Sequence, residues 1–254
     1  LRGKFFDMMC LLVLFSPLTF AIFGGQNTAL SLLCYSTFIV FAARRGAQNE
    51  FLAGSALGLW FFKPHYPLIA LFFMLLARRW RVLAGALLPA VAYYLLGAWR
   101  FGLGWPAAWL NALRMFLPAE MAHNSYNMVS FNGAIRSVLS GAPGLTSAGY
   151  AAASVLCLAL VSWFGREFWR SSKDEACGPG LSFTDLLFLL GPLIVLVSPH
   201  THFYDTGLCV FALLRWQRLP SDLCVTLLGA SLILLYAVAS NRFLFSAAPF
   251  AVVP

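Results

Sequence analysis

Charge is scarce in this chain: only 10% of its 254 residues are Asp, Glu, Lys or Arg, against roughly 25% in an ordinary soluble domain. Short catalytic signatures are missing too, with no GxxxxGK[ST], GxSxG, HExxH or DxD anywhere. A P-loop phosphate cradle needs glycines and a lysine at fixed spacing, so the missing signature argues against cytoplasmic nucleotide chemistry. The six cysteines form no CxxC and no Cys/His pattern of zinc-site spacing, and five of them lie in or beside apolar spans, where they read as small buried hydrophobes. No repeat of fixed period is present. Nor is there a pair of inverted, Gly/Pro-broken halves of the kind that marks secondary transporters.

What is abundant is apolar surface. Hydrophobic residues make up 61% of the chain and mean hydropathy is +0.80. A water-soluble core of this size cannot hide so much, which points to a membrane protein. The 24 Phe and 8 Trp suit lipid-facing surfaces and interfacial belts. The net charge of +8 comes from short basic runs beside apolar spans: Arg44-Arg45, Arg78-Arg79 with Arg81, Arg166 with Arg170, and Arg215 with Arg218. No basic stripe follows a polar helix, so nucleic acid is excluded as a partner.

Apolar runs predict an all-α polytopic bundle of about nine segments, roughly 5–23, 27–43, 50–62, 66–77, 82–97, 146–165, 181–198, 203–214 and 220–239. With residues 1–4 cytoplasmic, alternation places twelve Lys and Arg residues in inner loops and five (Lys63, Arg100, Arg114, Arg136 and Arg242) in outer ones. That asymmetry is the positive-inside pattern. Merging 50–77 into one crossing would invert every later loop, so a hairpin with Lys63 at its outer tip is expected. The longest outer loop, 98–145, predicts an interfacial amphipathic helix from Trp105 that Pro118 stops, a second short helix over 129–140, and an end at Pro143-Gly144. The 166–180 stretch reads as a solvated turn. A single integral membrane domain spanning 1–254 is expected. The chain begins with Leu1, and its first span ends without a cleavage site; a native N-terminal part is expected to be missing.

The polar clusters all fall on the predicted outer side. Lys63-Pro64-His65 closes an apolar span, where Pro64 bends or ends the helix. Its lysine reads either as a cation for a phosphate or as a snorkelling side chain on a lipid headgroup. Gly24-Gly25-Gln26-Asn27 offers donors and acceptors for sugar hydroxyls through Gln26 and Asn27, or a plain turn that Asn27 caps. Asn124-Ser125-Tyr126-Asn127, followed by Ser130 and Asn132-Gly133, can recognise a polyol or form a capped, solvated loop. Arg136, about a turn after Asn132, adds a possible phosphate contact. Ser198-Pro199-His200-Thr201-His202-Phe203-Tyr204-Asp205 places two histidines beside an acid. It can orient a phosphate or relay a proton, or it links two helices with Asp205 satisfied in the next first turn. One His-x-His with one Asp is incomplete as a metal site, so no metal and no cofactor is expected.

In this order the clusters resemble glycosyltransferase family 87, the polyprenyl-phosphate-mannose-dependent mannosyltransferases of GT-C fold. The likeness rests on Gly25-Gln26-Asn27, Ala53-Gly54…Gly58…Lys63-Pro64, the Arg78-Arg79-Trp80-Arg81 turn, Asn124-Ser125…Asn132-Gly133, and Ser198-Pro199 with His200 or His202 and Tyr204. It covers about residues 15–215. The resemblance implies an extracytoplasmic site in the cell (inner) membrane that passes a sugar from a polyprenyl phosphate to a glycan or glycolipid hydroxyl, with inversion. Lys63, Arg136, His200 and His202 are then expected at the donor phosphate. Gln26, Asn27, Asn124, Asn127 and Asn132 are expected at the sugar or acceptor. Trp105 and Trp109 are placed beside the prenyl groove. Members of this fold class take their acidic base from the first outer loop; the turn at 24–27 has no acid and Asp7 lies at the wrong end. The catalytic residue is therefore left unassigned and expected upstream. The rival readings are a lipid-linked sugar transporter or flippase, and a non-catalytic envelope-assembly partner.

Overall fold

The structure, a computed structural model, describes residues 26–124, 128–139, 143–173, 181–198 and 201–215. The described residues are helical, with no β-strand; one isolated antiparallel bridge joins Met128 to His202. The expected segments 5–23 and 220–239 lie outside the described residues. In chain order the helices are α1 (Thr28–Ala42), α2 (Ala47–Leu59), α3 (His65–Leu76), α4 (Trp80–Phe101), α5 (Trp105–Asn124), α6 (Phe131–Leu139), α7 (Pro143–Lys173), α8 (Phe183–Val197) and α9 (Val210–Arg215). Short 3-10 helices occupy Trp60–Phe62 and Phe203–Cys209.

Contacts between these helices fix their directions. A Cβ on Gly54 would stand 2.0 Å from the Val82 carbonyl oxygen, one on Gly58 would stand 2.5 Å from that of Ala86, and the Tyr93 hydroxyl donates to Leu59 O at 2.9 Å. Sequence numbers rise together, so α2 and α4 run parallel, and α3 returns between them. The expected hairpin is there, with Lys63 at its turn. Rings of Phe73 and Phe168 stack 5.2 Å apart and the Arg78 guanidinium lies 4.7 Å from the Trp169 ring centroid, so α3 and α7 also run parallel. Tyr35 donates to Leu187 O at 2.6 Å, while Thr28, seven residues earlier, meets Asp205, beyond the C-terminal end of α8, so α1 and α8 are antiparallel. Helices α1, α2, α3, α4, α7 and α8 thus alternate between two ends. One end gathers Arg44, Arg45, Glu50, Arg78, Arg79, Trp169 and Phe183. The other gathers Thr28, Lys63, Met128–Ser130, Ser198 and 201–205.

Glycine makes the α2–α4 contact possible, because only a missing side chain lets two backbones come this close. Pro89 lies inside α4 and cannot donate to Gly85 O four residues back. Ser55 Oγ on α2 lies 3.4 Å from Gly85 O and 3.1 Å from Phe51 O, so its single proton is shared between the freed carbonyl and its own helix. Re-satisfying a carbonyl freed by proline is the usual service of Ser and Thr in apolar surroundings. At the basic end, Arg79 N–H donates to Met74 O and Arg78 has φ 55°, so α3 closes in a left-handed cap.

Two helices are long and apolar enough to cross a membrane, Trp80–Phe101 and Gly144–Lys173. Only 17% and 6% of their apolar windows are buried within the protein, which is the reverse of a soluble core helix. Leu88, Leu96 and Trp99 point outward from α4 and Leu158 from α7, an apolar surface suited to lipid. The remaining apolar helices, including α1, α3 and α8, are shorter.

Several expected boundaries move. Pro118 lies inside α5, which continues to Asn124. Pro143 opens α7 instead of ending a loop, since its fixed φ and missing N–H cost nothing in a first turn. Residues 166–173 belong to α7, so the solvated turn begins no earlier than 174, and 174–180 lie outside the described residues. The 203–214 run is a 3-10 helix followed by one and a half turns of α-helix, not a continuous span.

Candidate functional site at the polar end

Lys63 sits at the α2–α3 turn because Pro64 cannot extend the preceding helix. Lys63 has φ −125° and ψ 76°, and Pro64 serves as the N-cap of α3. The ammonium faces inward. Lys63 Nζ lies 2.6 Å from Asp205 Oδ1, with side chains 15% and 4% exposed. It is also 5.5 Å from the ring centroids of both Tyr66 and Tyr204. The lysine is therefore neither a lone cation nor a snorkelling one. It is paired across 142 residues of sequence. An ammonium has three donors; one is aimed at Asp205, and the other two have no hydrogen-bond partner among the described residues.

Asp205 ties three elements together. Its Oδ1 also receives a long bond from Thr28 Oγ1 at 3.5 Å, and its Oδ2 accepts from the His202 N–H at 3.3 Å. The local satisfaction expected in a first turn is real, but it uses only one carboxylate oxygen. The 201–205 segment is held from another side, where the Val129 N–H donates to Thr201 O at 2.9 Å beside the Met128–His202 bridge. Ser130, fully buried, accepts from Gly133 N–H at 3.3 Å and caps α6. The Tyr66 hydroxyl lies beside Asp205 and Thr201. The oxygens of Tyr66, Thr201 and Ser198 are buried without a hydrogen bond of good geometry among the described residues.

Of the residues expected at the donor phosphate, Lys63 and His202 are brought together through Asp205, and the His202 ring stacks on Tyr204 with centroids 5.3 Å apart. Arg136 lies on α6, and only its backbone is described; His200 lies outside the described residues. Gln26 and Asn27 immediately precede Thr28, so they stand at this end and are exposed. Asn27 is the N-cap of α1 by position, without a side-chain capping bond. Asn132 is half-buried in the first turn of α6, next to the anchored 128–130 strip. Asn124 ends α5 with only its backbone described, and Asn127 lies outside the described residues. Trp105 packs on Gly97 and donates to Tyr94 O at 3.1 Å, while Trp109 is exposed.

Thr28, Tyr66, Thr201 and the cross-chain role of Asp205 were not expected. One signal was available for Asp205: a lysine this close to an apolar core needs a carboxylate, and few acids fall at the same end. Among the described side chains, every acid is engaged. Glu50 pairs with Arg79 at 2.5 Å, Glu167 with Arg166 at 3.3 Å, and Asp185 with Ser182 at 2.6 Å, besides Asp205. No cluster of His, Cys, Asp and Glu among the described residues is suited to a metal ion.

Two long helices with outward-facing apolar surfaces, and a charged, hydroxyl-rich cluster at one end of the helices, are the make-up of a membrane protein. The sequence model of glycosyltransferase family 87 matches residues 3–199. The chain belongs to that family and is a glycosyltransferase. The match ends before Asp205, so the residue that organises the site lies beyond it. No curated protein and no solved structure matches the chain significantly.

Proposed function

We propose that this enzyme transfers a sugar, mannose, from a polyprenyl-phosphate donor to a hydroxyl of a glycan or glycolipid acceptor, with inversion, at the extracytoplasmic face of the cell (inner) membrane. The observation that carries this reading is the convergence at one end of Lys63, His202 and Thr28 around Asp205, with Gln26, Asn27 and Asn132 on adjoining elements. A leaving lipid phosphate needs its charge stabilised, and the two remaining Lys63 donors can do that. Basic residues at the other end support a cytoplasmic assignment for it, within one polytopic membrane domain. The engaged acids, Asp205 among them, are not assigned as the base.

The test is transfer from polyprenyl-phosphoryl mannose to membrane glycolipid by the full-length protein. Lys63→Met combined with Asp205→Asn keeps the site neutral and is expected to abolish transfer while leaving membrane insertion intact. Unchanged turnover removes Lys63 from the site. Movement of lipid-linked sugar across vesicles without bond formation makes the protein a flippase. Complex formation with no activity makes it a non-catalytic partner.

A further inference from the structure

The pairing of Lys63 has a consequence for which phosphates the site can hold. Sugar transfer breaks the bond from the anomeric carbon to the phosphate oxygen, and the electron pair stays on that oxygen. The acceptor hydroxyl forms the new bond and releases its proton. A singly charged phosphodiester therefore becomes a phosphomonoester that carries a second negative charge once pH exceeds about 6. Substrate and product differ by one charge at the atom nearest Lys63.

We propose that Asp205 makes the Lys63 subsite selective for the singly charged phosphodiester and against the doubly charged monoester, so that the site loosens its hold as the sugar leaves. This rests on the donor-phosphate reading above. The contact of 2.6 Å, with both side chains largely buried, makes the pair a dipole of zero net charge. The desolvation cost of an ion grows with the square of its charge, whereas attraction to a neutral pair grows only linearly. Lys63 can offset one phosphate charge with its remaining donors, but the second meets the Asp205 carboxylate at close range. The rings of Tyr66 and Tyr204 and the Thr28 hydroxyl surround the pair without adding positive charge.

Two probes isolate that one charge: farnesyl phosphate and farnesyl methyl phosphate, bound to the full-length protein in neutral detergent micelles. At pH 8.5 the methyl diester is expected to bind about tenfold tighter, the order of effect that one uncompensated charge produces at a partly buried site. Lowering the pH to 5.5 protonates the monoester and closes the gap. Among the described residues, the titratable side chains beside the pair are Tyr66 on α3, and His202 and Tyr204 on the segment of Asp205, with His65 against the Tyr66 ring; Thr28 of α1 and the 128–130 strip add none. An imidazolium attracts a doubly charged phosphate more than a singly charged one, so the pH series is run in the wild type and in His202→Gln; a gap that closes alike in both belongs to the monoester's own titration, and the ratio of affinities is the readout. In Asp205→Asn the preference at pH 8.5 is expected to vanish or invert. Should that variant fail to fold, the wild-type pH series decides alone. A preference that ignores pH, or equal affinities throughout, overturns the role of Asp205 and leaves the donor-phosphate reading standing, as does a folded Asp205→Asn with the wild-type ratio. Failure of the wild-type protein to bind either probe overturns that reading and the proposal with it.

Discussion

Lys63 is held by one carboxylate and flanked by two tyrosine rings in a place where water is scarce. In such a pair each partner is tolerable only because of the other, and removing one typically costs about 3–5 kcal/mol. The asymmetry makes a clean prediction. Asp205→Ala is expected to lower the melting temperature of the detergent-solubilised protein sharply. Lys63→Met with Asp205→Asn, which leaves no charge behind, is expected to recover most of the loss. Thr28→Ala removes only a 3.5 Å contact and is expected to cost about 1 kcal/mol or less. Additive effects of the two neutralising changes would mean that the pair is not coupled in the folded protein.

At the scale of elements, the tightest constraint is the glycine seam between α2 and α4. Gly54 meets backbone, not a yielding side chain, so Gly54→Ala forces the two helices apart. The expected cost is about 1–3 kcal/mol, read as a drop in melting temperature. Gly104→Ala is the control, since nothing lies within 4 Å of a Cβ there. An equal drop in both variants would remove the seam as the cause. These helices also show what the sequence discloses. Apolar run lengths locate α1 and α8 within a few residues, and at α8 the run begins where a Ser182–Asp185 capping box starts the helix. Counting arginines recovers the α2–α3 hairpin, because a topological rule is global. Pro143 misleads because in a first turn its missing N–H costs nothing and it opens a helix instead of ending a loop, and Pro118 misleads because its helix runs on past it. Of the polar clusters, Gln26-Asn27, Lys63, Asn132 and His202 stand at one end. The Lys63–Asp205 bond is not legible in the sequence, because it joins residues 142 positions apart through a fold that composition does not encode.

For the molecule as a whole, the separation of its two ends is the property that matters. Alternating helices put Arg44, Arg78 and Arg79 at one end, and Thr28, Lys63 and 201–205 at the other. The exposed apolar flanks of α4 and α7 lie between them. If arginine asymmetry sets orientation, the basic end stays in the cytoplasm and a lipid-linked donor reaches Lys63 from outside. Single cysteines placed in a background free of the six native ones test this directly. Leu103 is 75% exposed in the turn at the polar end, and Leu103→Cys is expected to react with a membrane-impermeant maleimide on intact cells. Arg44→Cys, exposed after α1 at the basic end, is expected to react only after permeabilisation. The reverse pattern turns the site to the cytoplasm and removes the extracytoplasmic donor. Labelling of both from outside breaks the alternation itself, because an odd number of helices separates the two positions: α2, α3 and α4.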